Sequence, residues 1–405
     1  MVTKPNRMEP FHIVCIIKSS LHHIFIVLVC IRFHGMMNKK TSKIRKRRNK
    51  MKKCFFTGFP GFISRELIKE SMKQNLFDFY YVLVLPELEK QAAEELNFLT
   101  SGRARAVAGD ITVRGLNMDA GVLEEMKREV THVFHLAAVY DLGVDRELAE
   151  KVNVTGTANV AELFCQFNLE CFTYFSTAYV SGKREGLILE GDLQGECGFK
   201  NHYETTKYRA EEIVRGKMGE MPAVIIRPGI VTGHSKTGEA SKFDGPYYML
   251  NMFSRLKFSP FIPRIGRGNV PFNTVPVDFL VKAVLFLSLR REAAGQTFHV
   301  TDPHPGTIGE LYTLFLKELL NRRPLGILPP SAAKAGLSSD WLCRWLGIRK
   351  QALDYFQYDV RYDCSNLKRH LDGSGIVCPN IREYGHKLVQ FYKEKQENKE
   401  ERTYA

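Results

Sequence analysis

Long apolar runs, paired metal-ligand spacings and internal repeats are all missing from this 405-residue chain. Its most apolar stretch, Phe11 to Ile31, is interrupted by Lys18, Ser19, Ser20, His22 and His23. The uncharged part, Ser19 to Ile31, is too short to cross a bilayer, so no stable membrane insertion is expected. Counting Lys18 in gives only a marginal span, with the basic run Lys39 to Lys53 on its cytoplasmic side. Nine cysteines contain no C-x-x-C and twelve histidines no H-E-x-x-H, so no metal site is expected. Scattered, odd-numbered cysteines without a cleavable signal fit reduced thiols and a cytoplasmic protein. The body of the chain also lacks excess positive charge. Of the net +14, residues 1–50 hold +11 (twelve Lys and Arg against Glu9), which leaves +3 for the remaining 355 residues. A nucleic-acid partner is therefore not expected. The first fifty residues read as a basic and apolar extension that is foreign to the rest. Met51-Lys-Lys-Cys54 opens a strand directly, which makes Met51 the expected native start.

What is present is ordinary globular composition, 44% hydrophobic and 25% charged, in a chain long enough for a large core. From Lys53 the pattern alternates. Strands are predicted at 53–57, 79–85, 104–109, 130–137, 171–176 and 223–227, and helices at 61–73, 87–99, 122–128, 148–167 and 203–215. Residues 276–287 and 307–320 continue as helices around a strand at 297–301. Such βα repeats predict an α/β fold, a Rossmann-type doubly wound parallel sheet. The expected division is a nucleotide-binding domain over 51–235, then a substrate-binding cap and mainly helical C-terminal lobe over 236–395 with return strands to the sheet, and a charged tail over 396–405. The stretch 243–277, rich in Phe, Tyr, Met, Pro and Gly, reads as a loop-rich cap with an apolar pocket wall.

Candidate site residues lie at the predicted strand ends. Thr57, Gly58, Phe59, Pro60, Gly61, Phe62, Ile63 and Ser64 form a glycine turn between the first strand and helix. There a backbone can approach a pyrophosphate and a helix N-terminus can face it. Asp110, followed by Ile111, ends the third strand and can accept from an adenine amino group; its plainer reading is a turn residue. Ala137 and Ala138 give a smooth strand end for a dinucleotide, with His135 packed in the core. Ser176 and Thr177 end the fifth strand, Thr177 being the first choice for a hydroxyl facing a substrate oxygen. Tyr203 and Lys207 stand one helical turn apart. A neighbouring ammonium favours the phenolate and lowers its pKa, as carbonyl chemistry at neutral pH requires. A second Tyr-x-x-x-Lys, Tyr179 to Lys183, contains Gly182 and is expected to split its two side chains.

Taken together, Thr57-Gly-x-x-Gly-Phe-Ile, Gly109-Asp110, His135-Leu-Ala-Ala, Asn153-Val-Thr-Gly-Thr, Ser176-Thr177, Tyr203-x-x-x-Lys207 and Arg227-Pro-Gly-x-Val-x-Gly233 resemble the extended short-chain dehydrogenase/reductase family over roughly residues 51–320. Ala138-Val-Tyr-Asp141 and Ser176-Thr-Ala-Tyr-Val look most like its thioester reductase and fatty acyl-CoA reductase (male sterility) branch. The resemblance implies an NAD(P)(H)-dependent oxidoreductase with a Thr177, Tyr203, Lys207 triad. Lys207 would also hold the nicotinamide ribose, Asn153 would support the site, and Pro228, Gly229 and Val231 would lie at the cofactor. The substrate would be a small molecule with an apolar acyl or carbonyl group, and a homodimer is possible. The branch favours NADP(H), whereas Leu85-Pro86-Glu87 holds no Arg for a 2′-phosphate and offers Glu87 to a ribose hydroxyl. Two rivals stay open. One is a nucleotide-sugar epimerase or dehydratase with tightly held NAD, gripping a diphosphate through Lys257, Arg264 and Arg267. The other is a non-catalytic NAD(P)-sensing regulator.

Overall fold

Seven parallel strands form the centre of the computed structural model. The structure describes residues 51–404 except 141–142, 242, 267, 349–354 and 356–357. The expected N-terminal extension, Asp141 and Arg267 therefore lie outside the described residues. From Met51 the chain packs as one compact unit.

In chain order the first half runs β1 (Lys53–Thr57), α1 (Phe62–Lys73), β2 (Phe79–Val84), α2 (Glu89–Thr100), β3 (Ala104–Ala108), α3 (Ala120–Glu129), β4 (Val130–His135), α4 (Arg146–Ala149), α5 (Gly156–Phe164), β5 (Cys171–Phe175), β6 (Gly186–Ile188) and α6 (His202–Gly216). The second half runs β7 (Ala223–Pro228), β8 (Ile230–Thr232), α7 (Tyr247–Arg255), β9 (Arg264–Ile265), β10 (Thr274–Pro276), α8 (Val277–Ser288), β11 (Thr297–Val300), α9 (Ile308–Leu320), β12 (Ile327–Leu328), α10 (Pro330–Gly336), α11 (Asp340–Leu346), β13 (Val360–Tyr362), α12 (Ser365–Leu371) and α13 (Ile381–Tyr404). The main sheet has the order β11-β7-β5-β4-β1-β2-β3. Direction reverses between β1 and β4, so a crevice opens beyond their carboxyl ends, where such folds bind ligands.

Both faces of the sheet are covered, which is why its strands read as continuous apolar runs rather than alternating ones. One face packs Phe56, Tyr80 and Phe134 against α1 and the almost wholly buried α8. The other packs Phe55, Tyr81 and Phe172 against Phe164 of α5 and Val214 of α6. The C-terminal lobe has its own core of Phe253, Tyr312, Phe315 and Leu388 from α7, α9 and α13. No helix among the described residues is long and apolar enough to cross a membrane.

Two local predictions are corrected, and one strand pairing was not predicted. The single helix expected over 148–167 is α4, a π-turn at Glu150–Thr155, and α5. The π-turn spans only six residues within a longer helical pattern, too short for a window of helical period to separate. The loop-rich stretch 243–277 contains α7 and β10, which pairs with β8 just before it. Strands of three residues are too short to show a period of two. Lastly, β6 pairs with β13, which brings residues 360–362 beside the connection leading into α6.

Candidate active site

Backbone sterics shape the first turn. Gly58 has φ +87°, and a Cβ there would lie 2.8 Å from the Ala137 nitrogen. A Cβ on Gly61 would lie 2.6 Å from the Gly58 oxygen. Only glycine fits either position. Ser64, where the motif usually has a third glycine, donates its hydroxyl to the carbonyls of Gly61 (2.8 Å) and Gly58 (3.0 Å), tying the turn to α1. Gly61 caps α1 without a side-chain hydrogen bond. The first N–H groups of the helix therefore remain available to an anion.

The next strand end is set by a buried relay. Thr57 Oγ1 accepts from the backbone N–H of Leu136 (3.2 Å) and Ala137 (3.1 Å) and lies 2.8 Å from His135 Nδ1. A hydroxyl that accepts twice must donate its proton to Nδ1, so Nε2 carries the imidazole hydrogen and donates to Thr157 Oγ1 at 3.1 Å. Burial holds His135 neutral, at about 3. His135 is thus a core residue that fixes Ala137 and Ala138, as expected. Asp110 accepts from the N–H (2.8 Å) and hydroxyl (2.9 Å) of Thr112, which makes it a turn former that still lines the cavity with Ile111. From the π-turn, Asn153 accepts from Val139 N–H (2.8 Å) and donates to Thr206 Oγ1 of α6 (3.0 Å), joining the strand end to the helix behind it.

Helix α6 carries Tyr203, Lys207 and Glu211 at successive steps of four, one above another on a single face. Asn201 caps the helix by accepting from Glu204 N–H at 2.9 Å. Lys207 Nζ donates to the Phe175 carbonyl (2.6 Å) and stands 4.4 Å from the Tyr174 ring centre. Thr177, whose Oγ1 accepts from Tyr179 N–H at 3.3 Å, lines the same cavity as Tyr203. Ser176 instead donates to Glu211 Oε2 at 2.6 Å, away from Tyr203. Tyr179 and Lys183 separate as expected: Tyr179 lines the cavity, whereas Lys183 is exposed beyond Gly182.

The electrostatics depart from the expected ammonium–phenol coupling. Burial pushes the Tyr203 phenol above its usual value, Tyr140 adds to the rise, and the Thr177 hydroxyl pulls it partly back. Lys207 is itself drawn down by burial to about 7, against an upward pull from Glu211. Spacing could not show that both groups are desolvated together. The sign of the linkage is testable. In the unfolded chain a lysine keeps its proton to about pH 10.4. Between about pH 7 and pH 10 the unfolded state therefore binds more protons, and stability rises with pH. Below pH 7 Lys207 is charged in both states and the burial penalty is complete. Denaturant titration of coenzyme-free protein should show the advantage of Lys207→Met shrinking from pH 7 to pH 10; a constant difference would show that the ammonium is solvated.

The glycine turn, Asp110, Ala137, Ala138, Ser176, Thr177, Tyr203 and Lys207 line one cavity of about 880 Å³, which also includes Pro228, Gly229, Val231, Met249 and Phe272. Among the described residues its cations are Lys151 and Lys207 and its acids Asp110 and Asp244. Leu85 and Leu88 line it beyond β2, and Glu87 does not. Lys257 and Arg264, the candidate diphosphate grips, lie outside it. Sequence reasoning gave no site role to two tyrosines. Tyr140 meets the Tyr203 ring edge-on at 5.1 Å. Tyr355 donates to Glu204 Oε1 (2.7 Å) and accepts from Asn201 Nδ2 (3.0 Å), gripping the cap of α6. Tyr140 was legible only within the branch-like run Ala138–Asp141. Tyr355 had no local signal, because it reaches the site from more than 150 positions downstream.

The chain is 26% identical over 270 residues to a non-canonical nonribosomal peptide synthetase of Aspergillus campestris, covering 61% of this chain and 25% of that protein. It is 24% identical over 277 residues to a fatty acyl-CoA reductase of Drosophila melanogaster, covering 58% and 54%. The chain therefore spans about a quarter of the first relative and half of the second. Among solved structures, the terminal R domain of the myxalamid PKS-NRPS biosynthetic pathway superposes with TM-score 0.73 at 23% identity, covering 86% of this chain and 92% of that one. The UDP-glucuronic acid 4-epimerase of Bacillus cereus, in complex with NAD, superposes with TM-score 0.59 at 18% identity, covering 84% and 99%. At these identities the two structures establish the fold alone, an α/β architecture common to the R domain and the epimerase. The NAD-binding family model described as male sterility protein matches residues 56–284, more than half of the chain, and this protein belongs to that family.

Proposed function

We propose that the chain reduces the carbonyl carbon of an apolar acyl thioester or aldehyde with a nicotinamide coenzyme. The observation that carries this reading is Tyr203, a phenol that burial keeps protonated, lining one cavity with Thr177, Lys207, the glycine turn and the apolar Met249 and Phe272. The glycine turn and the uncapped N-terminus of α1 fit a pyrophosphate, and Asp110 with Ile111 fits the adenine end. A bound dinucleotide supplies the hydride. Tyr203 gives its phenol proton to the carbonyl oxygen as the oxygen gains charge, and Thr177 orients that oxygen. Lys207, fixed by the Phe175 carbonyl, is placed to hold the nicotinamide ribose and to recharge the phenol. With a thioester, reduction yields a hemithioacetal that collapses to aldehyde and free thiol.

Lining chemistry favours this reading over an epimerase, because the cavity beside Met249 and Phe272 has no arginine for a diphosphate among the described residues. The same reasoning favours NAD(H). Among the described residues no Lys or Arg lines the cavity beside Leu85 and Leu88, and Arg65, 5.7 Å from the Phe59 ring, is already forked onto Glu95. Initial rates of coenzyme oxidation with acyl-CoAs, aldehydes and nucleotide sugars test both points. NADH should exceed NADPH in kcat/KM by about tenfold, the value of one missing charge-assisted hydrogen bond. Turnover of nucleotide sugars without net coenzyme consumption would replace the reductase reading with the epimerase one.

A further inference from the structure

The reaction site makes no use of the outer surface of the C-terminal lobe, yet that surface gathers much of the exposed apolar area in the described chain. Phe258 is 89% exposed, Leu325 68%, Ile327 59% and Phe261 56%. Backbone contacts hold them side by side. Arg322 donates to the carbonyls of Ser259 (2.8 Å) and Pro260 (2.7 Å), Leu325 N–H donates to Ile262 (3.0 Å), and β12 pairs with β9. The adjoining α11 is anchored to α7 by Asn251, which donates to the Gly347 carbonyl at 3.2 Å. Its Cys343 and Leu346 face inward. On the outer face Trp341 and Trp345 stack with ring centres 6.4 Å apart and Arg344 is exposed beside them.

Residues 255–268 and 321–348 contain eight Lys and Arg against one acid, Asp340. Among the described residues of these segments, Arg255, Lys257, Arg323 and Arg344 are exposed cations. The chain from Met51 onward carries only +3, so what lies outside these segments is net negative. Lys257, Arg323 and Arg344 are exposed among the aromatic and aliphatic tips. Single exposed apolar residues are commonplace, but a contiguous set marks an interaction surface. None of the six apolar side chains lines the coenzyme-site cavity or the second cavity beside Lys282. They protrude, and so suit penetration of a soft surface better than insertion into a rigid groove. Protruding Trp, Phe and Leu with a Lys/Arg rim are what the interfacial layer of a bilayer accepts, the rings at headgroup depth and the cations on phosphates.

We infer that this face seats the protein on an anionic phospholipid surface. Helix α7 links that surface to the chemistry: its first turn, Tyr247 to Met249, lines the catalytic cavity, and its end leads into Lys257 and Phe258. The inference stands whatever the reaction proves to be.

The chain's only two tryptophans lie on this face, so their emission reports on it alone, whatever residues 1–50 do. Full-length protein is mixed with vesicles of phosphatidylcholine, or of phosphatidylcholine with phosphatidylglycerol, at low and high salt. The expected result is a blue shift, and quenching by brominated lipid, with the anionic vesicles at low salt. Replacing Phe258 and Leu325 by serine and Lys257 and Arg323 by glutamate should weaken vesicle partitioning more than about tenfold. Turnover of a soluble substrate should not change. Sedimentation with vesicles without an emission change, or undiminished partitioning of the variant, would overturn the inference. So would an emission change with an acidic acyl carrier protein but none with vesicles, which would make the partner a protein.

Discussion

Tyr203→Phe should lower kcat by about 10²- to 10⁴-fold, the usual contribution of a positioned general acid, while leaving coenzyme affinity nearly unchanged. Phenylalanine keeps the ring that meets Tyr140 edge-on at 5.1 Å and removes only the proton that the carbonyl oxygen must receive. Because burial keeps the phenol above its usual value, the proton is present throughout the neutral range, which favours reduction over oxidation. Single-turnover rates with a soluble aldehyde, set beside coenzyme titration by fluorescence, separate the two effects. Thr177→Ala should lose about 10²-fold, as removal of one oxyanion donor does, and Thr177→Ser should restore most of it. Ser176→Ala should act on stability instead, since that hydroxyl is given to Glu211. Wild-type turnover in Tyr203→Phe would remove the tyrosine from the reaction.

The second large effect concerns folding. Arg227 and Glu211 are both wholly buried, and the guanidinium is forked onto the carboxylate, Nε to Oε2 at 3.0 Å and Nη2 to Oε1 at 2.7 Å. Arg227 Nη2 also donates to the Asp192 carbonyl at 2.7 Å. Burial alone would raise the Glu211 carboxyl, but the charge and hydrogen bond of Arg227 outweigh it and hold the value below the usual range. Arg227→Met leaves that carboxylate buried beside only Arg215 and Ser176. The expected loss is about 3–5 kcal/mol, as when one partner of a buried ion pair is removed. The sign with pH follows. In the wild type, stability from Glu211 is present above its unfolded value, about 4.3, and is lost as pH falls through the lower folded value. In Arg227→Met the carboxyl is raised, so the variant's deficit is greatest near neutrality and shrinks toward about pH 4. Chemical denaturation from pH 4 to pH 8 reads this directly; a loss below about 1 kcal/mol would show that water reaches the pair.

Much of this molecule was legible from sequence for stated reasons. Strands covered on both faces must be apolar throughout, and β1, β2, β4, β5 and β7 stood out for that reason between Gly- and Asp-marked turns. The glycine turn was legible because Gly58 and Gly61 meet backbone where any Cβ would collide. Tyr203 and Lys207 were legible because α6 lacks breakers until Gly216. What escaped depends on closure of the fold. The π-turn around Asn153 is invisible to periodicity. The desolvation of Lys207 comes from walls that its own helix does not supply, and Ser176 and Thr177 differ only in which neighbour their hydroxyls meet.

The pairing of β13 with β6, and the hold of Tyr355 on Asn201 and Glu204, have a consequence for how such proteins can diverge. The helix that carries Tyr203 is braced by the polypeptide that follows the cap, so the N-terminal half is not a self-sufficient cassette. Recombination that exchanges one C-terminal lobe for another must also import a brace able to grip the start of that helix. Substrate range and catalytic competence are therefore inherited together rather than assorted independently.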